Sequence, residues 1–130
     1  MSTKIIKQTV TFKVSSHEVY EALMDPKKHA AFTGGKAVIS QKVGGKFSVF
    51  DGYAEGTNAE LEPDKKIVQN WRAEDWPKGV YSKATFAFTK TEGGSKLTFT
   101  QTDVPEEFAA DIAQGWKDYY WGPMKDMLEK

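Results

Sequence analysis

The last stretch of the chain, Pro105 to Lys130, limits the fold more than any other. Wound at about 100° per residue, it gathers Phe108, Ile112, Trp116, Tyr119 and Tyr120 on one side. Glu107, Asp111, Gln114, Asp118, Lys125 and Glu129 fall on the other. Pro105 suits a first helical position, and Glu106 and Glu107 suit the positive end of the helix dipole. Roughly 24 helical residues at about 1.5 Å each make a rod of ~36 Å, enough to cross a small sheet. A stripe of rings this long needs a broad apolar surface to lie on, and the rest of the chain must supply it. Gly122-Pro123 interrupts the pattern. Pro123 lacks the N–H and crowds the carbonyl near Tyr119, so the expectation is a kink, or a break that leaves Met124 to Lys130 as a separate turn or two. By the same angular count Trp121 falls towards the polar side. Either the kink turns it inward or it is exposed and marks a contact surface.

The preceding residues read as that surface. Ile6, Val10, Phe12 and Val14, with Gln8 between, share one side of a period-two strand. Ser15 followed by Glu18 is a capping box that opens a helix through Val19, Tyr20 and Leu23. Asp25-Pro26 ends or redirects it, and Lys27 to Phe32 allow one further helical turn before Gly34-Gly35. Strands are expected over Ala37–Gln41, Lys46–Phe50, Tyr53–Leu61, Ile67–Arg72, Tyr81–Thr91 and Ser95–Thr102. Gly44-Gly45, Asp51-Gly52 and Gly93-Gly94 are hairpin signals between them. Strands with one apolar face form an antiparallel sheet that needs a cover, and the closing helix is that cover. The fold class is therefore α+β, with about six to seven antiparallel strands around a long C-terminal helix and two short helices after strand one.

Composition narrows the function. With 39% hydrophobic and 13% aromatic residues the chain can bury a core, and no linker or repeat divides residues 1–130, so a single domain is expected. The 18 basic and 18 acidic residues cancel and no basic run appears, which speaks against nucleic acid or a membrane as main partner. The absence of cysteine excludes disulfides and thiolate chemistry. The first residues lack a signal-peptide core and no apolar run approaches ~18 residues. A soluble, cytoplasmic monomer is the expectation.

Candidate sites follow from the rings. Trp116, Tyr119 and Tyr120, facing Phe47, Tyr53, Phe86, Phe88 and Phe99, either line a pocket for a small apolar ligand or fill a core. Trp71 ends a strand with Arg72 on its opposite face, and Trp76-Pro77-Lys78-Gly79 is a loop. Trp76 is either a partner-binding knob or a plug that folds back over the open end of the sheet. Catalysis finds little support. His17 and His29 have no visible partners, metal-ligand spacing is missing, and the glycine pairs lack phosphate-loop spacing. Glu55, counted onto the face of Tyr53 and Thr57, is the one candidate acid or base, and a solvated carboxylate is the plainer reading. No cofactor or metal is expected.

Four strings in order carry a resemblance. They are Val43-Gly44-Gly45-Lys46-Phe47 running to Asp51-Gly52, Leu61-Glu62-Pro63 with Lys66-Ile67-Val68, Asn70-Trp71-Arg72 with Trp76-Pro77-Lys78-Gly79, and Gly115-Trp116-Lys117-Asp118-Tyr119-Tyr120-Trp121. With them the chain resembles the C-terminal domain of the activator of heat-shock protein 90 ATPase family, in the START-like (SRPBCC) helix-grip superfamily. The resemblance implies a sheet wrapped around the C-terminal helix, a cavity between them, and a role in binding a heat-shock protein 90-type chaperone through Trp71, Arg72, Trp76 and Trp121. It also implies the superfamily's habit of binding apolar ligands. In the eukaryotic co-chaperones a separate N-terminal domain precedes this one. Strand one begins near residue 4, so that domain is expected to be absent here.

Overall fold

The computed structural model describes residues 2–129, and Lys130, where the closing stretch ends, lies outside the described residues. Strand β1 (Thr3–Phe12) leads into helices α1 (Ser16–Met24) and α2 (Pro26–Thr33). Strands β2 (Val38–Ile39), β3 (Lys46–Val49), β4 (Ala54–Glu62), β5 (Lys66–Ala73), β6 (Ser82–Thr91) and β7 (Gly94–Pro105) follow. Among the described residues the strands form one seven-stranded sheet in the order β1-β7-β6-β5-β4-β3-β2, every pair antiparallel. The hairpins join neighbours directly, and β1 reaches across the chain to close against β7.

Local chemistry sets the boundaries. The Ser15 hydroxyl accepts from the Glu18 N–H at 3.3 Å, which caps α1. Asp25 serves two helices. Its N–H donates to the Glu21 carbonyl, and its carboxylate accepts from the N–H groups of Lys27 (2.8 Å) and Lys28 (3.2 Å) at the start of α2. Pro26 then sits where no N–H is needed. Register shifts at Asn58/Glu60 and at Lys4/Ile6 mark bulges, which bend a sheet and sharpen its twist.

The closing segment is continuous. Helix α3 (Glu106–Gly115) passes into a π-helical turn, Trp116–Trp121, and on into α4 (Gly122–Leu128). Pro105 belongs to the end of β7 and caps α3 rather than opening it. At Pro123 the wider ladder takes the place of a break: the Gly122 N–H donates to the Lys117 carbonyl five residues back. The helix accommodates the missing proline N–H one turn earlier, and the residues from Met124 onward stay in line.

The interior lies between this helix, α1 and the concave face of the sheet. Ile67, Leu97, Phe99, Val19 and Met124 are fully enclosed, each worth about 1.5–3 kcal/mol of burial. Phe86 and Phe99 face each other across β6 and β7 with ring centroids 5.0 Å apart.

Candidate functional site

Beneath the closing helix, towards β4, the packing leaves a cleft of about 470 Å³. Trp71 of β5 and Ala54 of β4 wall one side, Phe50 and Tyr53 of the β3–β4 turn form the lip, and the helix supplies Asp111, Ile112, Gly115, Trp116, Tyr119 and Tyr120. The space exists because Ala54 and Gly115 are small where neighbouring positions carry rings. Gly56 is fixed by the strand beside it, since a Cβ there would overlap the Asn70 carbonyl.

The lip is conformationally unusual. Phe50 and Asp51 both have positive φ (55° and 56°), a region that costs a bulky residue of order 1–3 kcal/mol. Paired bonds hold it there: the Asp51 N–H donates to the Lys36 carbonyl (3.1 Å), and the Lys36 N–H donates to the Asp51 carboxylate (2.8 Å). Phe50 thereby meets Tyr119 edge-on at 5.6 Å and Tyr120 at 5.9 Å.

Behind Tyr120 lies a second, much smaller space of about 20 Å³, walled in part by His29, Phe47, Gln69 and Phe86. The Tyr120 hydroxyl is 3.0 Å from His29 Nε2. Tyr120 loses its phenolic proton only far above its usual range, because burial opposes the phenolate. His29 is 3% exposed, and burial pushes its pKa down to about 4, so the ring is neutral near pH 7. A hydroxyl that donates to Nε2 puts the remaining ring proton on Nδ1, which has no partner among the described residues.

Two glutamines tie the helix rings to the sheet. Trp116 donates its indole N–H to Gln101 (2.8 Å), and Gln101 donates to the Ser82 hydroxyl (2.9 Å). Trp121 donates to Gln8 (2.6 Å), and Gln8 donates to the Ala113 carbonyl (2.9 Å). A buried indole needs such an acceptor, and strand residues on the inward face provide it.

The structure brings Tyr53, Trp116, Tyr119 and Tyr120 to the cleft. Phe47 and Phe86 sit behind it, against the smaller space. Phe88 and Phe99 line neither. Phe88 packs edge-on to Tyr20 of α1 at 6.0 Å, and Phe99 is enclosed between Phe86, Trp116 and Trp121. Of the residues assigned to a contact surface, Trp71, Trp76 and Trp121 are instead buried. Trp71 is a cleft wall. Trp76 folds back between Trp71 (5.5 Å) and Phe108 (6.3 Å, stacked), the plug reading of that loop. Trp121, 5% exposed, stacks on Trp116 with centroids 5.6 Å apart and planes 18° apart. Tyr119, placed by periodicity on the apolar side, is 57% exposed. Arg72 does face outward, where it donates to the carbonyls of Trp76 (2.7 Å) and Pro77 (3.4 Å). Glu55 leaves the opposite face from the cleft, half exposed and 3.9 Å from Arg72. It cannot act within the cleft. His17 pairs with Asp64 at 2.9 Å.

The cleft residues not foreseen as such are Phe50, Ala54, Asp111, Ile112 and Gly115, with Trp71 expected at a contact surface instead, and the His29–Tyr120 pair joins positions 91 apart in sequence. Among the described residues no three His, Asp or Glu side chains converge to hold a metal ion, and no helix is long and apolar enough to cross a membrane.

An antiparallel sheet that grips a C-terminal helix, with a cleft between them, defines a START-like helix-grip domain. A solved HSP90 activator from Plasmodium falciparum has the same fold, with a TM-score of 0.87 at 25% identity, over 99% of this chain and 97% of that one. The family described as Activator of Hsp90 ATPase homolog 1-like protein matches residues 13–129, and the chain belongs to it. The Activator of 90 kDa heat shock protein ATPase homolog of Dictyostelium discoideum is 35% identical over 119 residues, which are 89% of this chain and 30% of that protein. The human Activator of 90 kDa heat shock protein ATPase homolog 1 is 32% identical over 115 residues, 88% of this chain and 34% of that protein. The chain spans about a third of the length of these curated relatives.

Proposed function

We propose that this domain binds an Hsp90-type chaperone and biases its ATPase cycle. The observation that carries the reading is sequence identity above 30%, over nearly the whole chain, with proteins named as activators of that ATPase. A domain of this kind acts through differential affinity: it shifts the chaperone only as far as it prefers the ATPase-competent conformation over the others. The exposed rim of Tyr119 and Tyr53, together with Tyr81 on the outer face, offers aromatic groups of the sort that anchor interfaces, while Arg72, only 14% exposed, holds the Trp76–Pro77 loop beside Tyr81. The buried Trp71 walls the cleft behind that rim and Trp76 packs on it, while Trp121 lies in the interior against Phe99 and Trp116. The test is a titration of isotopically labelled domain with the chaperone of its own source, alongside the chaperone's ATPase rate. Line broadening at the rim and a changed rate are expected. Unmoved spectra at near-millimolar chaperone would overturn the proposal.

The cleft favours a second reading, that the domain carries or senses a small ligand with an apolar body. Its volume of about 470 Å³ falls within the ~300–1,000 Å³ of small-molecule sites. Native mass spectrometry of protein from its natural source should then show a retained adduct, and protein that is always bare would count against it.

A further inference from the structure

The cleft is lopsided in charge. Its aromatic residues are Phe50, Tyr53, Trp71, Trp116, Tyr119 and Tyr120, and among the described residues lining it Asp111 alone carries a charge. Further acidic residues follow in the chain segment bonded to Tyr53 of the lip. Glu74 and Asp75 follow β5 directly, and the Glu74 N–H donates to the Tyr53 carbonyl at 2.7 Å. Burial first, then the charges of Asp75, Glu74 and Asp111, raise the pKa of Tyr53, so all three lie within electrostatic reach of its hydroxyl. Among the described residues no lysine or arginine lines the space. Arg72 is turned away to the outer face, and Lys36 and Lys117 are exposed outside the lining.

Ring faces are electron-rich and attract a cation placed over them, most strongly when water is excluded. A carboxylate at the entrance adds to that attraction and repels an anion. We propose that the cleft is a binding site for a small organic cation, an ammonium or amidinium on an aromatic or branched aliphatic body. The body lies against Trp71, Ile112 and Trp116, and the charge sits between the Tyr53 and Tyr119 rings and Asp111. A lysine or arginine from a partner chain shares the charge but brings a narrow stem that leaves most of the volume unfilled. A carboxylic or phosphorylated ligand meets the like charges of Asp111, Glu74 and Asp75, all within electrostatic reach of Tyr53. The inference rests on reading the cleft as a ligand site and narrows that reading to one charge class.

A matched trio separates the terms: 3-phenylpropylammonium, 3-phenylpropan-1-ol and 3-phenylpropanoate, titrated at pH 7 into isotopically labelled protein. The backbone amides of Asp111, Gly115 and Tyr119 report binding. The ammonium should bind about fivefold more tightly than the alcohol, a preference typical of a cation over rings, with the carboxylate weakest. Asp111→Asn, at an exposed position, should keep the fold and the alcohol's affinity while it lowers the ammonium's by about threefold. An alcohol that binds as tightly as the ammonium overturns the charge preference and leaves the ligand reading standing. If no member of the trio moves these amides at millimolar concentration, both fall. The chaperone titration is independent of either result.

Discussion

The two halves of the space beneath the closing helix use the same kinds of ring and come out differently. Towards β6 and β7, Phe86, Phe99, Trp116 and Trp121 close on one another at centroid distances of 4.5 to 6.5 Å, and only the space of about 20 Å³ beside Phe86 remains. Towards β3 and β4, Phe50, Tyr53, Tyr119 and Tyr120 stand around open volume. The filled half is backed by strands of 10 and 12 residues, each paired along both sides. The open half is walled by Ala54, where the 9-residue β4 begins, by Trp71 of β5, and by a turn with positive φ. Ring content therefore does not decide between core and cleft. The positive-φ turn that sets the lip, and the small residues Ala54 and Gly115 among the rings, decide it.

The largest effect should come from hollowing the filled half. Phe99→Ala removes an enclosed ring and should cost about 3–5 kcal/mol in urea unfolding, far more than any change at the open lip. A cost under 1 kcal/mol would mean the two halves are equally loose.

The wall between the halves should answer to acid. The folded-state pKa of His29, about 4, lies below its ordinary 6.5, so the unfolded chain takes up this proton first. The stability linked to it is complete above about pH 6.5 and drains away as pH falls towards 4. Unfolding at pH 7 and pH 4.5 should differ by about 2–3 kcal/mol from this group, and His29→Gln should remove that part of the difference. An unchanged pH dependence would place the titration elsewhere.

Partial filling of the open half should help rather than harm. Gly115 has ordinary helical φ, and a methyl group there meets only Tyr119 Cδ2, at 3.8 Å. Gly115→Ala should raise stability by about 0.5–1 kcal/mol while it weakens any ligand of the cleft. Smallest of all, Tyr119→Ala should change stability by less than about 1 kcal/mol, because the ring is more than half exposed. Differential scanning calorimetry of the two variants side by side would show both signs.

Much of the scaffold could be read from residues alone, because its signals are local. The Ser15 cap, the double use of Asp25-Pro26 and the alternation of Ala84, Phe86 and Phe88 need only neighbours two to four positions away. The family also was legible, in strings such as the one from Gly115 to Trp121. The site was legible only in part. Glu55 was counted from Tyr53, but Tyr53 belongs to the turn and β4 begins at Ala54, so the face assigned to Glu55 was the wrong one. The angular count puts Tyr119 inward and Trp121 towards the polar side, with an inward turn at Pro123 as the alternative for Trp121, and one reason accounts for both outcomes. In α-helical winding, five residues separate Trp116 from Trp121 by about 140°. A ladder bonded five residues back turns by roughly 80° per residue instead, which swings Tyr119 outward and brings Trp121 beneath Trp116. The width of that ladder is settled by packing against Gln8, Gln101 and Phe99, residues distant in sequence, and no local pattern announces it.

The wide turn also makes residue count, between Gly115 and Pro123, a structural quantity in its own right. Removal of one residue from this loop of helix would let the ladder tighten, and because five residues at about 100° turn nearly as far as six at about 80°, the helix beyond it would keep its faces, with Met124 still inward. Pro123 guards against the tighter alternative, since its ring is ill-suited to the ordinary bond back to Tyr119. The proline thus disfavours the tighter of two windings, and the contacts of the indoles with Gln101 and Gln8 hold the wider one, which keeps both indoles of the helix indoors.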